Sequence, residues 1–325
     1  MFLSLVAEVA ASDPDLAGQA LRGLRAYQEA DLPSPGRERP ILLSKGGATL
    51  RDCGGTGAPL LLVPSLINPP TILDLPGRSL AEALTDKRRV LLLDWGPASK
   101  RADLDLGGHV RELLLPLLDE IGLVALAGYC LGGTLALLAA GWSKHVRAVV
   151  TLAAPWRFSA YEPAARKQLA ALWFASRSAS EALGALPMEV LQAAFWSLDP
   201  AQIVAKFARF GETDTTSDDA LRFILLEDWA NGGEPLPCPA ARELMEDLFG
   251  RDVSGNGDWG VGGLPDIPML HVTAANDRLV PAASAAGAPV LACPAGHVGM
   301  IAGRHSPRLL HRPLQSWLEA VERGG

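Results

Sequence analysis

The sequence predicts an α/β fold: a mostly parallel central sheet with helices on both faces and an inserted helical cap. Three observations carry this. Continuous apolar runs recur at Leu60–Val63, Val90–Leu93, Leu123–Ala127 and Val146–Leu152, as in strands buried on both faces of a parallel sheet. Helix-like stretches at 76–86, 106–121 and 131–142 lie between them. The alternation stops after Ala154-Pro155, and strand signals return only at Pro268–Val272.

The elements follow in order. Residues 1–30 read as helix, because Leu16, Ala20, Leu21, Leu24 and Tyr27 recur at helical spacing. Pro33, Pro35, Gly36 and Pro40 then break the chain. Ile41 to Arg51 reads as a β-hairpin turning at Gly46-Gly47. The four apolar runs and their helices come next. Residues 155–264 are helix-rich and carry Trp173, Phe174, Phe195, Trp196, Phe207, Phe210, Phe223, Trp229 and Phe249, with breakers at Gly232-Gly233, Pro235 and Pro237. A Gly-rich stretch, Gly255–Gly263, closes this segment. The aromatics are expected to form the core of the cap. A short strand at Pro289–Ala292 and a final helix at 306–323, opened by Ser306-Pro307, complete the chain. The expected division is an N-terminal helical segment (1–38), a sheet core (39–154 and 265–325) and a cap (155–264).

Composition narrows the function classes. At 325 residues and 49% hydrophobic, the chain can bury a large core. A net charge of −7 argues against nucleic-acid binding. Lys87-Arg88-Arg89 and Lys100-Arg101 read first as solvated loop residues, and second as a landing site for the phosphates of an anionic carrier. Four cysteines (Cys53, Cys130, Cys238 and Cys293) show no CxxC spacing, so neither a metal site nor a disulfide framework is expected. A reducing cytoplasm suits them. Met1–Val6 is apolar but lacks a basic region, and no apolar run reaches membrane-spanning length, so neither a signal peptide nor a span is expected.

The chemistry concentrates at Leu126-Ala127-Gly128-Tyr129-Cys130-Leu131-Gly132-Gly133-Thr134. A buried strand precedes it and an Ala/Leu-rich helix follows. Gly-x-Cys-x-Gly in that setting is the nucleophile-elbow pattern of the α/β-hydrolase fold, with cysteine in place of serine. The competing reading is a buried structural cysteine in a Gly-rich turn. The elbow strains the nucleophile's backbone, and side chains two residues to either side would collide with neighbouring elements. The helix N-terminus favours thiolate and a developing oxyanion, and the Leu131 amide is one candidate oxyanion donor. A cysteine nucleophile needs a base, and the base an orienter, in the chain order nucleophile, acid, histidine. Asp277 in Ala274-Ala275-Asn276-Asp277-Arg278 follows a strand signal, and His297 in Gly296-His297-Val298-Gly299 follows the last one. His109, His145, His271, His305 and His311 lack such placement. Asp94 and Asp228 are the other acids near apolar runs, with structural roles expected. The second oxyanion donor is assigned to the loop after Val63, at Leu66 or Ile67.

These motifs resemble the polyhydroxyalkanoate synthases, above all the short subunit of the two-component class. The likeness rests on Val63-Pro64-Ser65-Leu66-Ile67-Asn68, Ile72-Leu73-Asp74-Leu75, Leu93-Asp94-Trp95-Gly96, the Cys130 elbow, Asp277-Arg278-Leu279-Val280-Pro281 and Gly296-His297-Val298-Gly299. The resemblance implies Cys130 as nucleophile, His297 as base and Asp277 as orienting acid. It implies polymerisation of (R)-3-hydroxyacyl-CoA, with coenzyme A thioester as substrate, no further cofactor and no metal. It also implies a cytoplasmic or granule-associated enzyme and a partner subunit; the aromatic cap is a candidate homodimer surface. Two other readings stay open: hydrolysis of an ester or thioester on the same three residues, and a partner-binding protein with a degenerate site.

Overall fold

A computed structural model describes residues 2–30, 37–197, 200–260 and 263–324. Pro33, Pro35 and Gly36, residues 198–199 of the cap segment and residues 261–262 of the Gly-rich stretch lie outside them, as do both terminal residues. The described chain divides into two compact units. One joins the amino-terminal helices to residues 189–233; the other runs from residue 37 to Met188 and from Glu234 onward.

The larger unit is built on an eight-stranded sheet. Its strands are β1 (Ile41–Lys45), β2 (Ala48–Gly54), β3 (Pro59–Val63), β4 (Arg89–Asp94), β5 (Val124–Tyr129) and β6 (Val146–Leu152). A two-residue pair, β7 (Ala185–Leu186) with β8 (Leu236–Pro237), stands apart, and β9 (Met269–Ala274) and β10 (Val290–Cys293) complete the large sheet. The order is β1-β2-β4-β3-β5-β6-β9-β10. The β1–β2 and β2–β4 pairs are antiparallel, and every later neighbour is parallel.

The expected hairpin forms because Gly46 and Gly47 both take positive φ, at 57° and 100°. That combination suits the tight turns whose twist matches paired strands. The apolar runs became central strands: every residue of β5 is buried, as are Leu60 to Val63 of β3. The third run is shifted by one residue, since Leu123 is 62% exposed and the strand starts at Val124. The helix after β5, Leu131–Trp142, is buried from Leu131 to Ala140. An all-round apolar helix of this kind belongs inside a layered core.

The smaller unit corrects the reading of residues 1–30 as one helix. The chain forms two, Phe2–Ala10 and Pro14–Glu29, because Asp13 caps the second by accepting from the Leu16 amide at 2.9 Å and Pro14 fixes its first position. The helices Pro200–Phe210 and Asp218–Asn231 pack here, with Phe2, Val204 and Phe207 buried between elements. Phe210 and Phe223 stack at 4.2 Å, but the core they join is shared with the amino-terminal helices and is not that of a separate cap. By contrast Phe174 of the helix Pro163–Leu183 is 85% exposed. Tyr27 Oη donates to Asp228 Oδ1 at 2.5 Å. Tyr27→Phe is therefore expected to cost about 1–3 kcal/mol, read as a lower urea midpoint at unchanged slope.

Candidate active site

Cys130 sits where β5 hands over to the helix Leu131–Trp142. Its amide still donates to Leu152 O of β6 at 2.9 Å, yet its φ is 54°. A non-glycine residue held there is strained. The flanking glycines explain how so sharp a turn fits. A Cβ on Gly128 would lie 2.4 Å from Gly133 Cα, one on Gly132 2.3 Å from Val63 O and 2.4 Å from Pro64 O, and one on Gly133 2.4 Å from Ala154 Cβ. The elbow is thus pressed against the end of β3 and the loop that follows it.

Asp277 and His297 come from adjacent parallel strands. Ala274 of β9 pairs with Cys293 of β10, and the Asn276 amide donates to Ala295 O at 3.0 Å, so the segments beyond both strands run side by side. The interval of some twenty residues between them needs only a short crossover. Asp277 Oδ1 accepts from the Leu279 and Val280 amides at 2.8 and 2.9 Å. Its Oδ2 faces His297 Nδ1 at 2.7 Å, and the carboxylate side chain is 1% exposed. A carboxylate can only accept, so Nδ1 carries the hydrogen. That leaves Nε2 as the ring nitrogen open to Cys130, which acts on the imidazole.

The Tyr129 ring lies 5.0 Å from that of His297, tilted by 33°, and its hydroxyl donates to His297 O at 3.5 Å. Burial opposes charge on the imidazole. Cys130 and the hydrogen-bonded Asp277 outweigh it and hold His297 above the ordinary imidazole range. The other cysteines differ. Burial pushes Cys53 up to about 12 and raises Cys238 and Cys293 as well, and all three are buried where Cys130 is part-exposed.

The loop after β3 carries Leu66 (2% exposed) and Ile67 (7% exposed). Gly132 lies against its first carbonyls, which puts the loop beside the elbow. The Ile67 amide donates to Ser65 Oγ at 3.3 Å, which leaves the Leu66 amide as the stronger partner for Leu131. The Leu131 amide is the first of its helix, where no carbonyl of the helix can take it.

The remaining candidates are engaged elsewhere. Asp94 accepts from the Gly96 amide and pairs with Arg51, both at 3.0 Å, and Asp228 holds Tyr27. His271 faces Thr151 Oγ1 at 2.8 Å, His145 lies 3.4 Å from Asp119, and His311 is buried. The basic clusters are not uniformly solvated. Arg88 is 1% exposed and pairs with Glu322, Arg89 pairs with Asp52 at 2.8 Å, and Arg101 is 2% exposed. Lys87 and Lys100 are exposed, as expected of solvated residues.

Sequence reasoning missed Tyr161. Burial holds its hydroxyl well above the ordinary range, and Cys130 and Asp277 add to that. Its ring stacks on Phe158 at 5.9 Å and meets Phe249 edge-on at 5.0 Å. Nothing local in Trp156-Arg157-Phe158-Ser159-Ala160-Tyr161 marks it. Among the described residues no cluster of His, Cys, Asp or Glu has a metal-binding arrangement, and no helix is long and apolar enough to cross a membrane.

No protein-family model matches the chain. It is 26% identical over 240 residues to the poly(3-hydroxyalkanoate) polymerase subunit PhaC of Haloferax mediterranei, covering 69% of this chain and 49% of that one. It is 25% identical over 240 residues to the subunit of the same name from Haloarcula marismortui, covering 69% and 50%. The chain thus spans about half the length of these curated relatives. Among solved structures it matches a thermophilic esterase from Thermogutta terrifontis, at 17% identity and TM-score 0.50 over 88% of this chain and 99% of that one. It also matches a meta-cleavage product hydrolase from Pseudomonas fluorescens IP01, at 18% identity and TM-score 0.52 over 86% and 97%. The chain resembles poly(3-hydroxyalkanoate) polymerase subunits, and its fold is the α/β-hydrolase fold.

Proposed function

We propose that the chain is an acyltransferase that polymerises (R)-3-hydroxyacyl-CoA through an acyl intermediate on Cys130. One observation carries the chemistry: Asp277 holds His297 Nδ1 at 2.7 Å, and Cys130, at the strained turn, acts on the same imidazole. The likeness to polymerase subunits supports the substrate class.

The steps follow from the arrangement. The Cys130 sulfur attacks the thioester carbonyl, with its proton on His297 Nε2. Negative charge develops on the acyl oxygen, which the Leu131 and Leu66 amides receive, with Ile67 adjacent. The C–S bond to coenzyme A breaks, and the departing thiolate takes the proton from His297. A hydroxyl of a hydroxyacyl group then loses its proton to His297 as its oxygen attacks the acyl-cysteine. An ester forms and the proton returns to the Cys130 sulfur. Both coenzyme A and Cys130 form thioesters, so the first exchange is near energetic balance and the acyl group stays transferable. The enzyme acts in the cytoplasm or at polymer granules, with a partner subunit.

The test is product analysis with purified protein and 3-hydroxybutyryl-CoA. Free coenzyme A together with insoluble polyester is expected. Free coenzyme A with free hydroxy acid would show that water takes the acyl group, and polymerisation would be abandoned for hydrolysis.

A further inference from the structure

The loop bearing the candidate oxyanion amides is held from behind by residues distant in sequence. Trp95 Nε1 donates to Pro64 O at 3.0 Å, and the Glu234 amide donates to Ile67 O at 3.0 Å. Between them, Arg101 Nη2 donates to Leu66 O at 3.4 Å. Arg101 is 2% exposed, and its other donors are also engaged: Nε with Gly96 O at 3.2 Å, and Nη1 with His109 Nε2 at 3.2 Å. His109 Nδ1 lies 2.6 Å from Asp105 O, a pure acceptor, so Nδ1 carries the hydrogen and Nε2 accepts from Arg101. That histidine is neutral, consistent with burial pushing it down to about 4. Among the described residues no carboxylate lies within ion-pair distance of Arg101; the nearby Glu234 carboxylate instead accepts from the Ala98 amide at 3.0 Å. Burying a cation without an ion partner is costly. A loop needing only to pack would be served by an apolar residue.

We propose that Arg101 is a positioning residue for the acyl-oxygen site. A peptide unit is planar, so holding Leu66 O fixes the plane that also carries the Ile67 amide. Trp95 fixes the plane of Pro64 O in the same way. The Leu66 amide belongs to the single plane between these two and has little freedom left. Gly132 packs against Val63 O and Pro64 O on the elbow side, so the pinned loop meets the turn that carries Cys130. The role rests on the acyl-transfer reading of Cys130.

Two reactions of the same sulfur separate positioning from general support. Alkylation by iodoacetamide forms an S–C bond as iodide leaves, and no oxyanion develops. Acylation by p-nitrophenyl butyrate forms an S–C bond through an oxyanion as p-nitrophenolate leaves. Both adducts on Cys130 are followed by mass spectrometry of the full chain. Arg101→Gln is expected to slow acylation by about 10²-fold, the size of a lost oxyanion donor, while alkylation stays within about twofold. Arg101→Lys, which keeps the charge and loses the fork, is expected to show the same split at about tenfold; it decides the matter if Arg101→Gln does not fold by circular dichroism. Parallel loss of both reactions, or unchanged acylation, overturns the role of Arg101 alone. A wild-type chain that is alkylated but never acylated overturns the acyl-transfer reading and this role with it.

Discussion

Cys130→Ala is expected to lower coenzyme A release from 3-hydroxybutyryl-CoA by at least about 10⁴-fold, leaving only what oriented binding supplies. His297→Ala is expected to cost about as much, and the double variant little more, because the two residues act as one unit. Asp277→Asn tests the third position. Its carboxylate is fixed by the Leu279 and Val280 amides and holds His297 Nδ1 at 2.7 Å. An amide in its place offers a donor to Nδ1 and favours the wrong tautomer, at a cost of about 10³–10⁴ in turnover. Cys130→Ser should behave differently from Cys130→Ala. An oxygen ester lies lower than a thioester, so a serine that becomes acylated holds its acyl group. A stable acyl mass on residue 130 with no further transfer is the expected sign. Coenzyme A release at the wild-type rate from Cys130→Ala would remove the cysteine from the chemistry and end the proposal.

Much of the sheet was legible because its signal is local. Runs such as Leu60–Val63 and Val90–Leu93 have the length and continuity of strands buried on both faces, and they became β3 and β4. The elbow was legible because steric demand writes glycines at fixed offsets from the residue at the bend, and the distances at Gly128 and Gly132 show that demand. Other features depend on partners far along the chain. Arg88 looks like a solvated loop residue among Lys87 and Arg89, yet its partner is Glu322, 234 positions away. Arg101 looks equally ordinary, yet it is buried and donates to a carbonyl 35 positions earlier. Tyr27 and Asp228, 201 positions apart, tie the amino-terminal helices to a segment read as cap. The break at Asp13-Pro14 was a different kind of miss. Its cap signal is in the sequence, and the helical spacing of Leu16 to Tyr27 drew attention from it.

Gly132→Ala should be more damaging than its single added carbon suggests. The new Cβ would stand 2.3 Å from Val63 O and 2.4 Å from Pro64 O. Both are backbone oxygens, so no side-chain rotation relieves the contact. Val63 ends a strand whose last four residues are buried, and Pro64 O is held by Trp95 Nε1 at 3.0 Å. Either the loop or the start of the helix must move. The expected loss of stability is about 3 kcal/mol or more, at the upper end of overpacking costs. Chain that still folds should be slow as well, since a shift of about 1 Å between the Leu66 and Leu131 amides costs about 10²-fold. Gly18→Ala supplies the contrast. That glycine lies in the helix Pro14–Glu29, and its Cβ would meet only Arg22 Nη1, at 3.7 Å. There alanine is expected to stabilise by about 0.5–1 kcal/mol through helix propensity. Urea unfolding of both variants reads the difference. A Gly132→Ala chain as stable and as active as the wild type would mean that the elbow and the loop do not meet as described, and that the two amides do not serve one oxyanion.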